Sequence, residues 1–316
     1  MEDVRDLNMN PPDSSHPDIH AVTPVPVRSP MRWIGGAALA IVVFLFLRLL
    51  VLNENMQWSV VGEYLFSTEI LAGIGRTLLL TFLAMLIGFL IGVVLAIMRL
   101  SSNPVFRAAS WLWIWFFRGV PPLVQLVFWY NLGLLIPEVS ISIPFGPTLW
   151  SATTNQLITP FSAAIMGLSF TESAYAAEMV RAGIQAIAVG QTEAAATLGM
   201  TRGQILSRIV LPQALRILIP PIGNDTISML KFTSLVSVLA MPDLLYSAQM
   251  IYSRTYQTIP LLIVATIWYL VLSTALTFAE HWIESRMAGH PISIGKVFGS
   301  IFKTRILSLK KQQVKL

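Results

Sequence analysis

Unbroken apolar runs, such as Trp33 to Leu52 and Ile74 to Met98, constrain this chain more than any other feature. A helix of about 20 such residues crosses a hydrocarbon core of about 30 Å. In lipid every backbone N–H and C=O must be satisfied within the segment or a closed barrel, so only helices and barrels span it. Barrel strands would read as segments of about 10 residues alternating polar and apolar. These runs do not alternate, and the expectation is an all-α integral membrane protein with about six transmembrane helices. The runs predict spans over Trp33–Leu52, Ile74–Met98, Leu123–Ile136, Phe161–Met179, Ile217–Met241 and Pro260–Ile283. With 55% of its 316 residues hydrophobic and 12% charged, the chain has the composition that lipid demands.

A net charge of +5 in a soluble chain would raise the question of nucleic acid, but here the cations cluster in particular loops. Seventeen of the 21 lysines and arginines lie before the first span, in Arg99–Arg118, in Arg181–Arg216 or after Ile283; Arg48, Arg76, Lys231 and Arg254 are the remainder. That bias puts both termini and the 190–212 region in the cytoplasm and explains the cations without a nucleic-acid partner. Glu54, Glu63 and Glu69, with no basic neighbour until Arg76, mark the segment after the first span as extracytoplasmic. The Pro-rich polar stretch over residues 1–32 reads as a disordered tail rather than a cleavable signal, and 285–316 as a basic tail. Cysteine is absent, which excludes disulfides, thiolate metal sites and cysteine nucleophiles.

Within the second span, Gly88 and Gly92 form a GxxxG pair that admits close approach of another helix, a dimer partner included. Trp111, Trp113, Trp115, Phe116 and Phe117, between Arg107 and Arg118, suggest a helix lying along the headgroup belt, broken by Gly119, Pro121 and Pro122. The alternative for Arg118 is an ordinary cytoplasmic anchor. Between Pro137 and Pro160 the prolines predict a loop. His281 and His290 have no second ligand at helical spacing, so no metal site is expected. The stretch from Gly289 has five residues between its glycines and Val297 where a phosphate-binding loop needs Ser or Thr, so no nucleotide site is expected on this chain.

Ionisable residues at membrane depth are expensive enough to be functional candidates. Glu172 lies in the fourth predicted span; Asp225 and Lys231 lie in the fifth, where Asn224, Ser228 and Lys231 share one helical face. These five are the candidates for a substrate pathway, with Glu172 receiving an ammonium group and Lys231 a carboxylate. The alternative is that Glu172 pairs or snorkels locally and Lys231 neutralises Asp225. Glu178 and Arg181, at the cytoplasmic end of the fourth span, read as loop anchors.

The polar stretch Gln191–Arg216 interrupts this oily chain. Gln191–Leu198 has helix-forming composition with Glu193 in its first turn, and Gly199 can take the left-handed turn that closes a helix. Thr201 and Gln204 match a capping box for a second short helix, in which Ile205 and Ile209 share a face and which Leu211-Pro212 is expected to stop. The result is a pair of short helices at a fixed angle, with Ala194, Ala195 and Ala196 turned outward.

Glu193-Ala194-Ala195, Gly199, Ile209 and Leu211-Pro212 stand at the spacing of the cytoplasmic loop of bacterial ABC importer permeases, which this segment resembles. Phe116–Leu126 (FFRGVPPLVQL), Ser173–Ile187 (SAYAAEMVRAGIQAI), Gly75–Phe82 and Leu230–Ala240 are similar to the polar amino-acid permeases among them, the histidine, glutamine, glutamate, arginine and opine group. The resemblance covers about residues 71–284 and implies a five-helix type I importer core with its coupling loop at 190–212, to which the 33–52 span is an addition. It implies that those loop residues dock on a separate ATPase dimer that uses ATP and magnesium, and that this chain binds no cofactor and is not an enzyme. It further implies a bacterial inner membrane, a second permease copy, identical or paralogous, an external substrate-binding protein and a polar amino-acid substrate moved by alternating access. Val120, Pro122 and Phe232 depart from the family's common residues, and Phe232 replaces a carboxylate next to Lys231. A secondary transporter driven by an ion gradient is the alternative; it would show two matching halves with broken helices. A scaffold that binds an ATPase without transporting is a second.

Overall fold

The computed structural model describes residues 30–143 and 147–288. Most of the N-terminal tail, most of the C-terminal tail, His290 and the glycine stretch from Gly289 lie outside the described residues. The first helix, α1 (Pro30–Leu52), falls in a unit of its own, residues 1–56, and its apolar side chains from Ile34 to Leu52 are almost all exposed. An exposed apolar helix surface of this kind suits contact with lipid.

From residue 57 onward the chain forms a second unit. Its elements are α2 (Trp58–Tyr64), α3 (Thr68–Leu100), α4 (Pro104–Gly119), α5 (Pro122–Tyr130), β1 (Glu138–Ser142), β2 (Thr148–Thr153), α6 (Thr154–Leu157) and α7 (Pro160–Gln185). The order continues with α8 (Val189–Thr197), α9 (Arg202–Ile205), α10 (Leu211–Phe232), α11 (Leu244–Thr255) and α12 (Thr258–Ala288). Side-chain caps start the long helices: Ser67 Oγ accepts from Ile70 N–H before α3, and Thr159 Oγ1 from Ser162 N–H before α7, where Pro160 occupies the first turn.

The centre of the bundle is α7, packed against α3, α4, α5 and α10. Its buried residues are mostly small: Ala163, Ala164, Gly167, Ser169, Ser173, Ala174, Ala176, Ala177 and Gly183. Small side chains let neighbouring backbones approach and gain dispersion contacts where lipid supplies no hydrophobic drive. The glycine pair of α3 is spent here. A Cβ at Gly88 would stand 2.5 Å from Glu172 Cβ, and one at Gly92 would stand 2.6 Å from Ala176 Cβ. The GxxxG face thus joins α3 to α7 inside one chain rather than to a dimer partner. One core, of Leu80, Ala84, Leu126, Ala164, Leu168, Met229 and Val236, lies around this crossing, and a second, of Val61, Ile70, Leu244, Ala248, Leu261 and Val264, joins α2, α3, α11 and α12.

Several expectations are corrected. Among the described residues four helices are long and apolar enough to cross a membrane, and a fifth exists if α4 and α5, bent by 102°, count as one span. The architecture is all-α and multi-pass as expected, and helix length and composition alone leave the count of six untested. The predicted span Leu123–Ile136 is the nine-residue α5, roughly 13 Å long. Helix α4 also packs along α7: Ile114 clusters with Ala177, Trp113 Nε1 donates to Ser173 Oγ at 3.0 Å, and the Phe117 ring meets Phe170. Its aromatic residues are there to pack as well as to face lipid. The predicted loop between Pro137 and Pro160 contains an antiparallel hairpin, β1–β2. The helix containing Ile209 does not stop at Leu211-Pro212. A π-helical turn over Leu206–Val210 leads straight into α10. Proline lacks an N–H and its ring crowds the carbonyl four residues back, and the widened turn absorbs both.

Candidate functional site

The polar segment folds into an elbow. Helix α8 ends at Leu198, and Gly199 takes φ +76°. Met200 N–H donates to Ala195 O at 3.2 Å and Gly199 N–H to Ala196 O at 2.9 Å, the paired bonds that close a helix through a left-handed residue. Thr201 then caps α9 reciprocally: Gln204 N–H donates to Thr201 Oγ1 and Thr201 N–H to Gln204 Oε1. Two capped ends separated by two residues hold the helices at one angle, because their terminal backbone groups are already satisfied.

Glu193, Ala194 and Ala196 are exposed, as the outward face requires, but Ala195 is buried at 4% exposure. It sits three residues before the turn, where α8 packs against α9 and the π-helical turn. Ile209 is half-buried, and Leu211 and Pro212 are exposed at the start of α10. Two features escaped the sequence reading. Leu198, immediately before the closing glycine, is 81% exposed. Gln213 Nε2 donates both to Gln191 Oε1, at 2.6 Å, and to Ile209 O, at 2.9 Å, tying α8 to the base of α10. An apolar residue next to Gly199 in a polar stretch was a readable sign of the first; nothing in the pattern pairs two glutamines 22 residues apart.

The membrane candidates divide into two groups. Asn224 and Lys231 are exposed and Ser228 is half-exposed on one face of α10, away from this chain's own core. No ion pair joins Lys231 to Asp225 among the described residues. Glu172 is 2% exposed, wedged against Gly88, and its carboxyl abuts that of Asp225 from α10. Glu172 Oε1 and Asp225 Oδ2 are buried and find no donor. Two acceptor-only groups facing one another are satisfied by a shared proton or by a cation, and are costly otherwise. Glu178 pairs with Arg181 three residues on in the same helix, Nη2 lying 2.6 Å from Oε2.

A clamp that sequence reading missed lies where α11 begins. Asp243 accepts from Leu245 N–H, Tyr246 N–H and Tyr269 O–H, while Leu244 N–H donates to Thr77 Oγ1 and Arg76 Nη1 donates to Pro242 O. This fixes the Met241–Asp243 turn to α3 and α12.

Similarity to known proteins accords with the elbow. Residues 88–289 match the family described as binding-protein-dependent transport system inner membrane component. The arginine transport system permease protein ArgU of Corynebacterium glutamicum is 41% identical over 283 residues, 89% of this chain and 87% of that protein. The nopaline transport system permease protein NocM of Agrobacterium fabrum is 34% identical over 69% of this chain and 89% of its own. Among solved structures, an amino acid ABC transporter with histidines is 36% identical and superposes with a TM-score of 0.59 over 69% of this chain and 94% of that one. These relatives exclude the gradient-driven alternative and assign ATP hydrolysis to a separate chain. The chain belongs to the inner membrane component family of binding-protein-dependent transport systems, and is the non-enzymatic permease subunit of an ABC importer.

Proposed function

We propose that this permease imports a polar amino acid carrying a cationic group, with arginine the leading candidate. The observation that carries ATP-driven import is the elbow: capped at both helix ends, yet presenting Leu198 with no covering residue among the described ones. A rigid, exposed apolar tip beside Glu193, Ala194, Gly199, Leu211 and Pro212 suits insertion into a groove of an ATPase subunit. Closure of that ATPase dimer on ATP and magnesium then moves α8, and α8 moves α10 through Gln191 and Gln213. Differential contacts in the two positions favour one opening of the path or the other.

Two permease copies enclose that path, with Asn224, Ser228 and Lys231 turned toward it. An external binding protein delivers the substrate, and both termini and the elbow are cytoplasmic. Residues 33–52 add a span to a transport domain over about 71–284, with tails on either side. The buried carboxyl pair of Glu172 and Asp225 supports a cationic cargo, because a guanidinium or ammonium reaching the pair would supply donors to Glu172 Oε1 and Asp225 Oδ2. Relatives named for arginine and nopaline transport point the same way.

The test is accumulation of labelled arginine by liposomes holding the permease, its ATPase and its binding protein. ATP-dependent accumulation that stops with a hydrolysis-dead ATPase is expected, and uptake that continues without hydrolysis refutes the reading. Glu172→Gln removes one charge from the pair. It is expected to weaken arginine transport roughly 10- to 100-fold relative to a neutral amino acid, the size of one charged hydrogen bond. An unchanged preference takes Glu172 out of the pathway.

A further inference from the structure

A cavity of about 470 Å³ opens between α3, α4 and α7, lined by Arg99, Trp111, Trp115, Arg118, Tyr175 and Glu178. Two of these residues are cations, and neither meets a carboxylate within ion-pair distance among the described residues. The one carboxylate in the wall is engaged elsewhere, since Glu178 Oε2 accepts from both Nε and Nη2 of Arg181. The guanidinium of Arg118 lies over the Tyr175 ring, 5.3 Å from its centroid. A guanidinium held beside a ring in this way keeps N–H donors for the oxygens of an anion.

Part of the lining is aromatic. Trp111 and Trp115 are both exposed and stacked, with centroids 6.1 Å apart and planes 15° from parallel. Indoles of this kind settle at the level of lipid headgroups, one part in hydrocarbon and the N–H toward water. Ile97 and Leu100 on α3 and Leu112 on α4 are exposed apolar side chains on the helices that form the cavity. Two unpaired cations, a stacked indole pair and exposed aliphatic side chains on the same helices together match an amphiphile with an anionic head better than a free ion.

We propose that this cavity binds the phosphate headgroup of an anionic phospholipid, with Arg99 and Arg118 holding the phosphate and the Trp111–Trp115 stack seating the glycerol region. A zwitterionic choline head would bring its own cation against two arginines, so the site selects for net negative charge. The proposal rests on this chain being a membrane-spanning permease, and not on which solute it carries.

The experiment uses the full-length permease with its ATPase, stripped of lipid in detergent. Short-chain phosphatidylglycerol, short-chain phosphatidylcholine and inorganic phosphate are titrated against thermal stability. Phosphatidylglycerol is expected to raise the melting temperature saturably, while the other two at equal concentration do not. In the Arg99→Gln/Arg118→Gln double variant the half-saturating concentration of phosphatidylglycerol is expected to rise at least about fivefold, and Arg118→Lys alone should have a smaller effect. Equal titration of variant and native protein overturns the site. An equal response to phosphatidylcholine overturns its charge selection, and an equal response to inorganic phosphate overturns its assignment to lipid. Cross-linking of residue 198 to the ATPase in the same samples reports the permease assignment separately from the lipid result.

Discussion

Gly199 and Gly88 are both glycines for physical reasons, but not the same reason. At Gly199 a Cβ would meet nothing within 4 Å, and the constraint is the backbone angle of +76°. Placing an L side chain there costs roughly 1–2 kcal/mol, most for a branched one. Gly199→Val is therefore expected to lower ATP-dependent uptake at least about tenfold with membrane insertion intact, whereas Gly199→Asn, which tolerates the left-handed region, keeps most of it. Uptake assays on both variants decide the matter; full activity of the valine form shows that the elbow angle is not required. This turn was legible in the sequence because a cap is a local pattern. The partner of Glu172 was not legible, because Asp225 reaches it only through the packing of α10 on α7.

At the scale of elements, the α3–α7 contact determines how the bundle is built. Gly88→Leu drives its side chain into Glu172 and the Ser169 carbonyl, where nothing flexible can yield on the backbone side. Overpacking of that kind costs about 1–3 kcal/mol or more. The melting temperature in detergent is expected to fall clearly for Gly88→Leu and hardly at all for Gly75→Ala, whose Cβ has open space; equal stabilities would remove the close crossing. The same contact explains why hydropathy undervalues α7. A helix wrapped by four others meets little lipid and can carry Ser169, Thr171, Glu172 and Ser173 on buried positions. The short helix α11 escaped notice because it is amphipathic and too brief to register as an apolar run, although Asp243 before it was a readable cap. Pro212 misled in the opposite direction: a proline reads as a stop, and only the π-helical turn before it shows that the backbone widened and went on.

For the whole assembly, the absence of cysteine makes single-cysteine variants clean probes of both expected interfaces. Leu198→Cys is expected to cross-link to the ATPase, and Ser228→Cys to a second permease chain, each in membranes from cells expressing all components. A Ser228→Cys variant that never captures another permease removes α10 from the shared path. Buried Ala195 is a poor probe for the first experiment, although its sequence neighbours make it look like a good one. The sequence by itself determined the lipid setting, the helical class, the elbow and the family resemblance, because apolar length, helix caps and motif spacing act within a few residues of one another. Only the tertiary structure decided that the glycine pair of α3 serves α7, that α4 stands beside α7, and that Glu172 faces Asp225. Those outcomes depend on which helix faces meet, and contact between faces distant in the chain is a property of packing that no local pattern specifies.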